Sequence, residues 1–432
     1  MQNIITSSGN VCLWISGQMT MNPCVWNRTR MYRAVSIALV LFLVLAIMPV
    51  AADMMFLSDP GRSGDFGTGG NVPANTVLWQ YQSGGEIGSS PAVVNGVVYI
   101  GSGDNNTYAI DAATGKELWR FVTGNVVSSS PAVVNGIVYI GSLDTNVYAI
   151  NAATGKEVWK FNTGTMVGAS PAVANGVVYI GGEFANLYAL DAATGAEKWR
   201  YNMGIAGGSP SVANGIVYLA TGNNDVSAID AVTGTQKWRF VTGQSVYAVP
   251  SVVNGVVYFG SQDNNFYAVD ATTGTEKWRF TGGNVFQTSQ AVANGVVYAG
   301  NNDNNLYALD AVTGKEVWHF TMGKPAASSP VVANGVVFVG SMDNNLYAVN
   351  AKTGAGIWQY ATGGWVESTP AVANGVVYFG SDDKHLYALG QVSTAPSSPA
   401  SSQEKPSPTK ADLSALLPVM AITGVLFLAG KR

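Results

Sequence analysis

Five side chains stand out by type and by position: Glu86, Tyr247, Gln287, Trp365 and Glu367. Two carboxylates, a primary amide and two aromatic rings on one wall would suit recognition of a polar or cationic ligand. The rings supply contact area at low entropic cost, and the polar groups orient what binds. Other chemistry-bearing residues are sparse. Cys12 and Cys24 both precede residue 31, so the main body holds no disulfide, zinc cluster or thiol nucleophile. His319 and His385 lie 66 residues apart and read as solvated surface residues. Three runs, Asp263-Asn264-Asn265, Asp303-Asn304-Asn305 and Asp343-Asn344-Asn345, carry oxygen donors of the kind calcium takes. They lack the further carboxylates of a calcium loop and read as turn formers. No metal site is expected.

A repeat must position the five. Tryptophans fall at Trp79, Trp119, Trp159, Trp199, Trp238, Trp278, Trp318 and Trp358, and Asn-Gly pairs begin at 95, 135, 175, 214, 254, 294, 334 and 374. The step is 40 residues, with a single step of 39 in each series. Such a period denotes a solenoid, propeller or array. Within one unit, "PAVVNGVVYIGS" (91–102) is two β-branched runs joined by Asn-Gly, the strongest short hairpin signal. "GDNN" is a second turn, "TYAID" a third strand, "AATGK" a third turn and "ELWRFVTG" a fourth strand. Four short antiparallel strands repeated radially make a propeller blade. The fold class is all-β, an eight-bladed β-propeller over residues 76–390.

The first tryptophan, in "TVLWQYQSG" (76–84), has no hairpin before it, and the last hairpin (371–390) has no fourth strand after it. The N-terminal strand is therefore expected to complete the last blade. Closure of this kind removes two exposed strand edges that would template aggregation.

The run Ala109-Ile110-Asp111-Ala112-Ala113-Thr114-Gly115, with Trp119 four residues further on, recurs in register six more times. It resembles the repeat of the pyrroloquinoline-quinone-type (PQQ-like) propeller family. Within that family the chain is most similar to non-catalytic propellers of the outer-membrane-assembly and surface kind. The resemblance implies that each tryptophan docks on the neighbouring blade beside a small glycine: Gly115, Gly155, Gly195, Gly234, Gly274, Gly314 and Gly354. The Gly-His and Trp-Asp marks of WD repeats are absent.

Strand alternation sorts the loops by face. The Asn-Gly and "ATGK" turns share one end and are nearly uniform. The "GDNN" turns and the crossovers between blades share the other, which varies, and binding residues are expected there. Three positions before the strand-opening Pro the blades read Gly88, Ser128, Gly168, Gly207, Tyr247, Gln287, Ala327 and Glu367. Two positions earlier they read Glu86, Val126, Met166, Ile205, Ser245, Val285, Pro325 and Trp365. Small residues in blades one to four face large or polar ones in blades five, six and eight, a one-sided funnel wall.

The ends carry separate signals. Residues 1–30 form an extra stretch ahead of a plausible start at Met31. Residues 31–52, with Arg33 before an apolar run, read as a signal peptide or N-terminal anchor. Residues 53–75 lead into the propeller. The Pro/Ser-rich stretch 391–412 reads as an extended stalk. Residues 413–432 contain 18 uncharged residues before Lys431 and Arg432, and read as a C-terminal membrane anchor or sorting segment. The expectation is an exported, membrane-anchored, cell-surface or extracytoplasmic protein with a monomeric body. Its net charge of −4 and lack of basic runs exclude a nucleic-acid partner.

Three function classes follow. The first is a non-catalytic scaffold holding a protein or glycan ligand at the crossover face. The second, from the resemblance, is a quinone-dependent alcohol or sugar dehydrogenase with PQQ and calcium. Such enzymes place an adjacent Cys-Cys pair, a calcium site and a catalytic Asp on long inserted loops; here the body has no cysteine and the loops are short. The third is a structural surface or adhesion component. The first is the expected class, with no catalytic residue and no cofactor.

Overall fold

The computed structural model describes residues 6–7, 10–11, 58–59, 62–67, 71–183, 186–204 and 208–391. The expected signal and C-terminal segment lie outside the described residues, as do the stalk after Gln391 and all of 1–30 except the short ladder of Thr6–Ser7 with Asn10–Val11. Among the described residues no helix is long and apolar enough to cross a membrane.

Eight four-stranded antiparallel sheets form the ring, as the repeat predicts. In blade one the strands are Ala92–Val94, Val97–Gly101, Asn106–Asp111 and Glu117–Val122, in chain order across the sheet. First strands of successive blades adjoin one another around the axis. The hairpin turn has φ of 52° at Asn95 and 74° at Gly96. Two positive φ values are what a type I′ turn needs, which is why Asn-Gly recurs there. The two middle strands are almost wholly buried, whereas the outer strand alternates half-buried and exposed. The apolar core lies between neighbouring sheets.

The ring closes through its first strand. Thr76–Gln82 pairs antiparallel with His385–Gly390, setting Trp79 opposite Ala388, and becomes the outer strand of blade eight.

Blades are joined by the tryptophans. The Trp119 indole packs 5.8 Å from the Tyr99 ring of its own blade and donates through Nε1 to the Ala152 carbonyl of the next, at 2.9 Å. Its face covers Gly155, where a Cβ would come within 2.8 Å of the indole. Gly155 also has φ of +68°, so glycine is required twice over. The same arrangement joins Trp79 to Gly115, Trp159 to Gly195, Trp199 to Gly234, Trp238 to Gly274, Trp278 to Gly314 and Trp318 to Gly354. Trp358 meets no such turn, because blade eight takes its outer strand from the chain's other end. Its Nε1 donates instead to the Pro73 carbonyl, at 3.0 Å.

A matched pair of substitutions isolates this joint. Gly136 also has positive φ, +75°, but a Cβ there meets nothing within 4 Å. Gly136→Ala is expected to cost about 1–2 kcal/mol, the backbone strain alone. Gly155→Ala is expected to cost a further ~1–3 kcal/mol for displacing the indole. Denaturant melts of the two variants check this; equal losses would remove the indole from the account.

Candidate ligand-binding face

The two faces are built differently. On one end each "ATG" turn is bonded to the neighbouring Asn-Gly turn, for example Ala112 N to Gly96 O at 2.8 Å. On the other end seven turns of the "GDNN" position are bonded to the incoming crossover among the described residues, as in Gly103 N to Glu86 O at 2.9 Å and Asp382 N to Trp365 O at 3.0 Å. Crossovers and these turns therefore form one rim.

In the six blades that carry it, the turn Asp is committed to the fold. Asp263 accepts from Gly243 N at 2.8 Å, Asn265 N at 3.0 Å and the Tyr267 hydroxyl at 2.7 Å. Burial by itself pushes the Asp263 carboxyl up; these bonds and one from Ser261 outweigh it and leave the group below the usual carboxylate range. Asn264 takes φ of 69°, the left-handed conformation asparagine tolerates. The aspartates of the other two Asp-Asn-Asn runs accept equivalent bonds from Tyr307 and Tyr347.

A polar ring lies at the mouth of the axis. The residue before the strand-opening Pro is Ser or Thr in most blades, and its hydroxyl accepts the equivalent backbone N–H of the preceding blade. Ser90 N to Ser130 Oγ, Ser130 N to Ser170 Oγ and Ser170 N to Ser209 Oγ run at 2.8–2.9 Å. Val249 N to Ser289, Ser289 N to Ser329, Ser329 N to Thr369 and Thr369 N to Ser90 continue at 2.9–3.1 Å. The ring is interrupted between Ser209 and Val249, which has no hydroxyl to offer.

Beside this ring a cavity of about 260 Å³ opens on the crossover face. Ser90, Ser130, Ser289, Ser329 and Thr369 contribute to its lining, with Gln287 and Glu367 on its walls. The five residues singled out in the sequence divide as follows. Gln287 and Glu367 share the cavity. Glu86 does not line it, but its charge bears on Glu367. Trp365 stands on the same crossover as Glu367, 42% exposed. Tyr247 is 58% exposed on the rim of blade five and does not line the cavity. Of the small-residue side, Ile205 and Gly207 lie outside the described residues.

The sequence reading missed Asp382. Burial, then the charges of Glu367, Glu86 and Asp383, push its carboxyl up to about 6. Glu367 is likewise raised, by burial and by Glu86. The signal was in a third column, the residue preceding the turn Asp, which reads Gly103, Leu143, Gln262, Asn302, Met342 and Asp382. That column meets the crossovers: the Asn302 amide donates to Gln287 Oε1 at 3.0 Å, and Met342 lines the cavity. Among the described residues no group of three His, Cys, Asp or Glu side chains is placed to hold a metal ion.

The architecture is that of an eight-bladed propeller built from tryptophan-docked repeats. The family profile described as outer membrane protein assembly factor BamB matches residues 71–159, 143–248, 202–328 and 302–395, and the chain belongs to that family. Among curated proteins none matches the sequence. BamB from Moraxella catarrhalis is 17% identical, with a TM-score of 0.65 over 73% of this chain and 99% of that one. Quinohemoprotein alcohol dehydrogenase from Comamonas testosteroni is 18% identical, with a TM-score of 0.67 over 78% and 80%. The computationally designed protein Ika8 is 16% identical, with a TM-score of 0.67 over 74% and 100%. An assembly factor, an enzyme and a design thus share the fold, and function has to be argued from this chain's own rim.

The acidic trio yields a direct check. Removing two of its charges with Glu86→Gln and Glu367→Gln should bring the Asp382 pKa down from about 6 toward the ordinary aspartate value, followed by side-chain carboxyl NMR. A raised pKa means that the ionised form is disfavoured in the folded protein. Asp382 therefore contributes stability below its unfolded pKa that is lost as pH rises through about 6. The double variant should lose less stability across that window.

Proposed function

We propose that the protein is a non-catalytic binding or assembly scaffold that holds a protein or glycan ligand on its crossover face. One observation carries the reading: three carboxylates gather on one arc of the rim. Glu86, Glu367 and Asp382 cluster beside exposed Trp365, next to a hydroxyl-floored cavity that also presents Gln287. Carboxylates beside an aromatic ring suit an ammonium or guanidinium group, and a hydroxyl floor suits sugar or peptide main chain. Tyr247, across the rim, would extend the contact of a larger ligand. Export by residues 31–52, retention by 413–432 and a monomeric body belong to the same proposal, with the ligand met outside the cytoplasm.

The repeat family and the BamB likeness support a scaffold, and the alcohol dehydrogenase likeness supports a catalytic alternative. The adjacent cysteine pair implied for such enzymes has no counterpart in the body; the chain's two cysteines, Cys12 and Cys24, both precede it. Titration of the purified chain with pyrroloquinoline quinone and calcium, followed by alcohols and aldoses with an artificial electron acceptor, should give no turnover. Reproducible turnover would replace the scaffold by the enzyme.

The binding site is tested by two pairs of substitutions. Trp365→Ala with Glu367→Gln should abolish capture of the partner with little change in melting temperature, because both side chains lie at the solvent boundary. Asn135→Ala with Thr154→Ala, on the opposite face, should leave capture intact. For a cationic ligand, affinity should rise as pH rises through about 6, where Asp382 ionises. Loss of capture only in the second pair would move the site to the Asn-Gly face.

A further inference from the structure

The leader does not simply precede the ring; it occupies the axis. Arg62 is 0% exposed. Its guanidinium joins two adjacent blades, donating through Nε to the Pro210 carbonyl at 2.7 Å and through Nη2 to the carbonyls of Ser170 and Pro171 at 2.9 and 3.1 Å. Burial pushes the Arg62 pKa down to about 9, against the opposing pull of Asp59. The chain turns back on itself around this side chain. Arg62 N bonds to Asp59 O at 3.0 Å, Ser63 bonds to the Asp59 carboxylate, and the Ser58 hydroxyl reaches the Asp65 carbonyl at 3.1 Å.

From there the segment runs outward along the wall. Ser251 Oγ donates to the Arg62 carbonyl at 2.5 Å, Val292 N to Ser63 O at 2.7 Å and Val332 N to Gly64 O at 2.9 Å. Phe66 N returns a bond to Val332 O at 2.8 Å, and Asp65 bridges Val332 in parallel. Asn334 N to Gly67 O, at 2.9 Å, brings the segment to the Asn-Gly face. These partners belong to blades three to seven. The mode is strand addition to an inner edge plus a guanidinium in a carbonyl cradle.

The wall is also altered where the segment lies. Ser251 stands where five other blades carry Ala92, Ala132, Ala172, Ala291 and Ala371, Ser211 and Val331 being the other two exceptions. Gln290 replaces the strand-opening Pro, and its amide nitrogen lies within 2.6 Å of that same Ser251 hydroxyl and 3.0 Å of the Val249 carbonyl. Gly64, at φ +69°, fits only without a Cβ, which would lie 2.9 Å from the Ala291 Cβ. One break in the repeat, Ser251, thus bonds directly to the segment, and a second, Gln290, bonds to that serine.

We propose that the axial channel is a peptide-binding site whose resident ligand is the arginine-tipped loop 58–67 of this chain, seated from the Asn-Gly side. The ring does not need the loop: every blade has its four strands, and closure runs through Thr76–Gln82. The loop closes the channel at that end, and its removal exposes a site for an extended segment bearing a buried guanidinium.

The test uses the full chain, purified in detergent, with a protease recognition sequence inserted after Gly67 and cut after folding. The severed N-terminal piece should remain with the ring through size exclusion and dissociate only on dilution. The same chain carrying Arg62→Ala should release it, the ring keeping a cooperative melt in both cases. A synthetic peptide spanning 56–69 should then rebind the emptied ring, with about tenfold or greater loss of affinity for its Arg62→Ala version, the scale of a charged hydrogen bond removed. Unfolding of the ring on release would make the loop a structural strap and overturn the proposal. So would immediate loss of the unsubstituted piece, or equal binding of the two peptides.

Discussion

Everything in the ring depends on an indole laid over a glycine. A propeller blade is a small, twisted sheet that cannot bury its faces alone, so it is stable only against its neighbours. Here neighbours share an apolar core between their sheets, and at the outer strand a tryptophan both fills the space above a turn of the next blade and donates a hydrogen bond to its backbone. The turn must be glycine because the ring occupies the volume of a Cβ and because the backbone lies at positive φ. Seven junctions use this device unchanged. The eighth, between blades seven and eight, uses the carbonyl of Pro73 because the chain's two ends meet there.

That uniformity separates scaffold from site. With blade spacing set by the tryptophans, and with serine and threonine hydroxyls joining seven of the inner junctions, the crossovers are free to vary. Blades eight and one bring three carboxylates together, and blades six and seven contribute the amide, the methionine and the small residues of the cavity wall. Two carboxyls held above their ordinary range are a cost to the fold, which the turn aspartates Asp104, Asp144, Asp263, Asp343 and Asp383, held below theirs, do not carry. The opposite face takes the leader and is nearly the same in every blade.

The sequence made the architecture legible for physical reasons. A type I′ turn demands Asn-Gly, a docking tryptophan demands a small partner, and both recur in register, so blade number, strand order and closure by the first strand could all be read. The site was read in part. Glu86 was visible as a charge in a largely aliphatic column, and Glu367 and Gln287 because they break a column of small residues two positions on. Tyr247 breaks the same column but stands apart from the cavity, since a column specifies height above the axis and not proximity around it. Asp382 was missed because its neighbour Asp383 belongs to the turn and masked it. Arg62 was missed altogether: a leader of ordinary composition gives no sign that it returns into the channel, and a single serine in the repeat, Ser251, is too slight a departure to disclose it.

The central claim is that the acidic, aromatic arc of the crossover face is where this protein meets its ligand. Site-specific photo-cross-linking in living cells tests it without knowing the ligand. A benzophenone side chain placed at Trp365 preserves an exposed aromatic group on the arc, and one at Val312, 82% exposed on the Asn-Gly side, serves as its counterpart. The account predicts a discrete adduct from position 365 and none from position 312. Adducts from position 312 alone would contradict it.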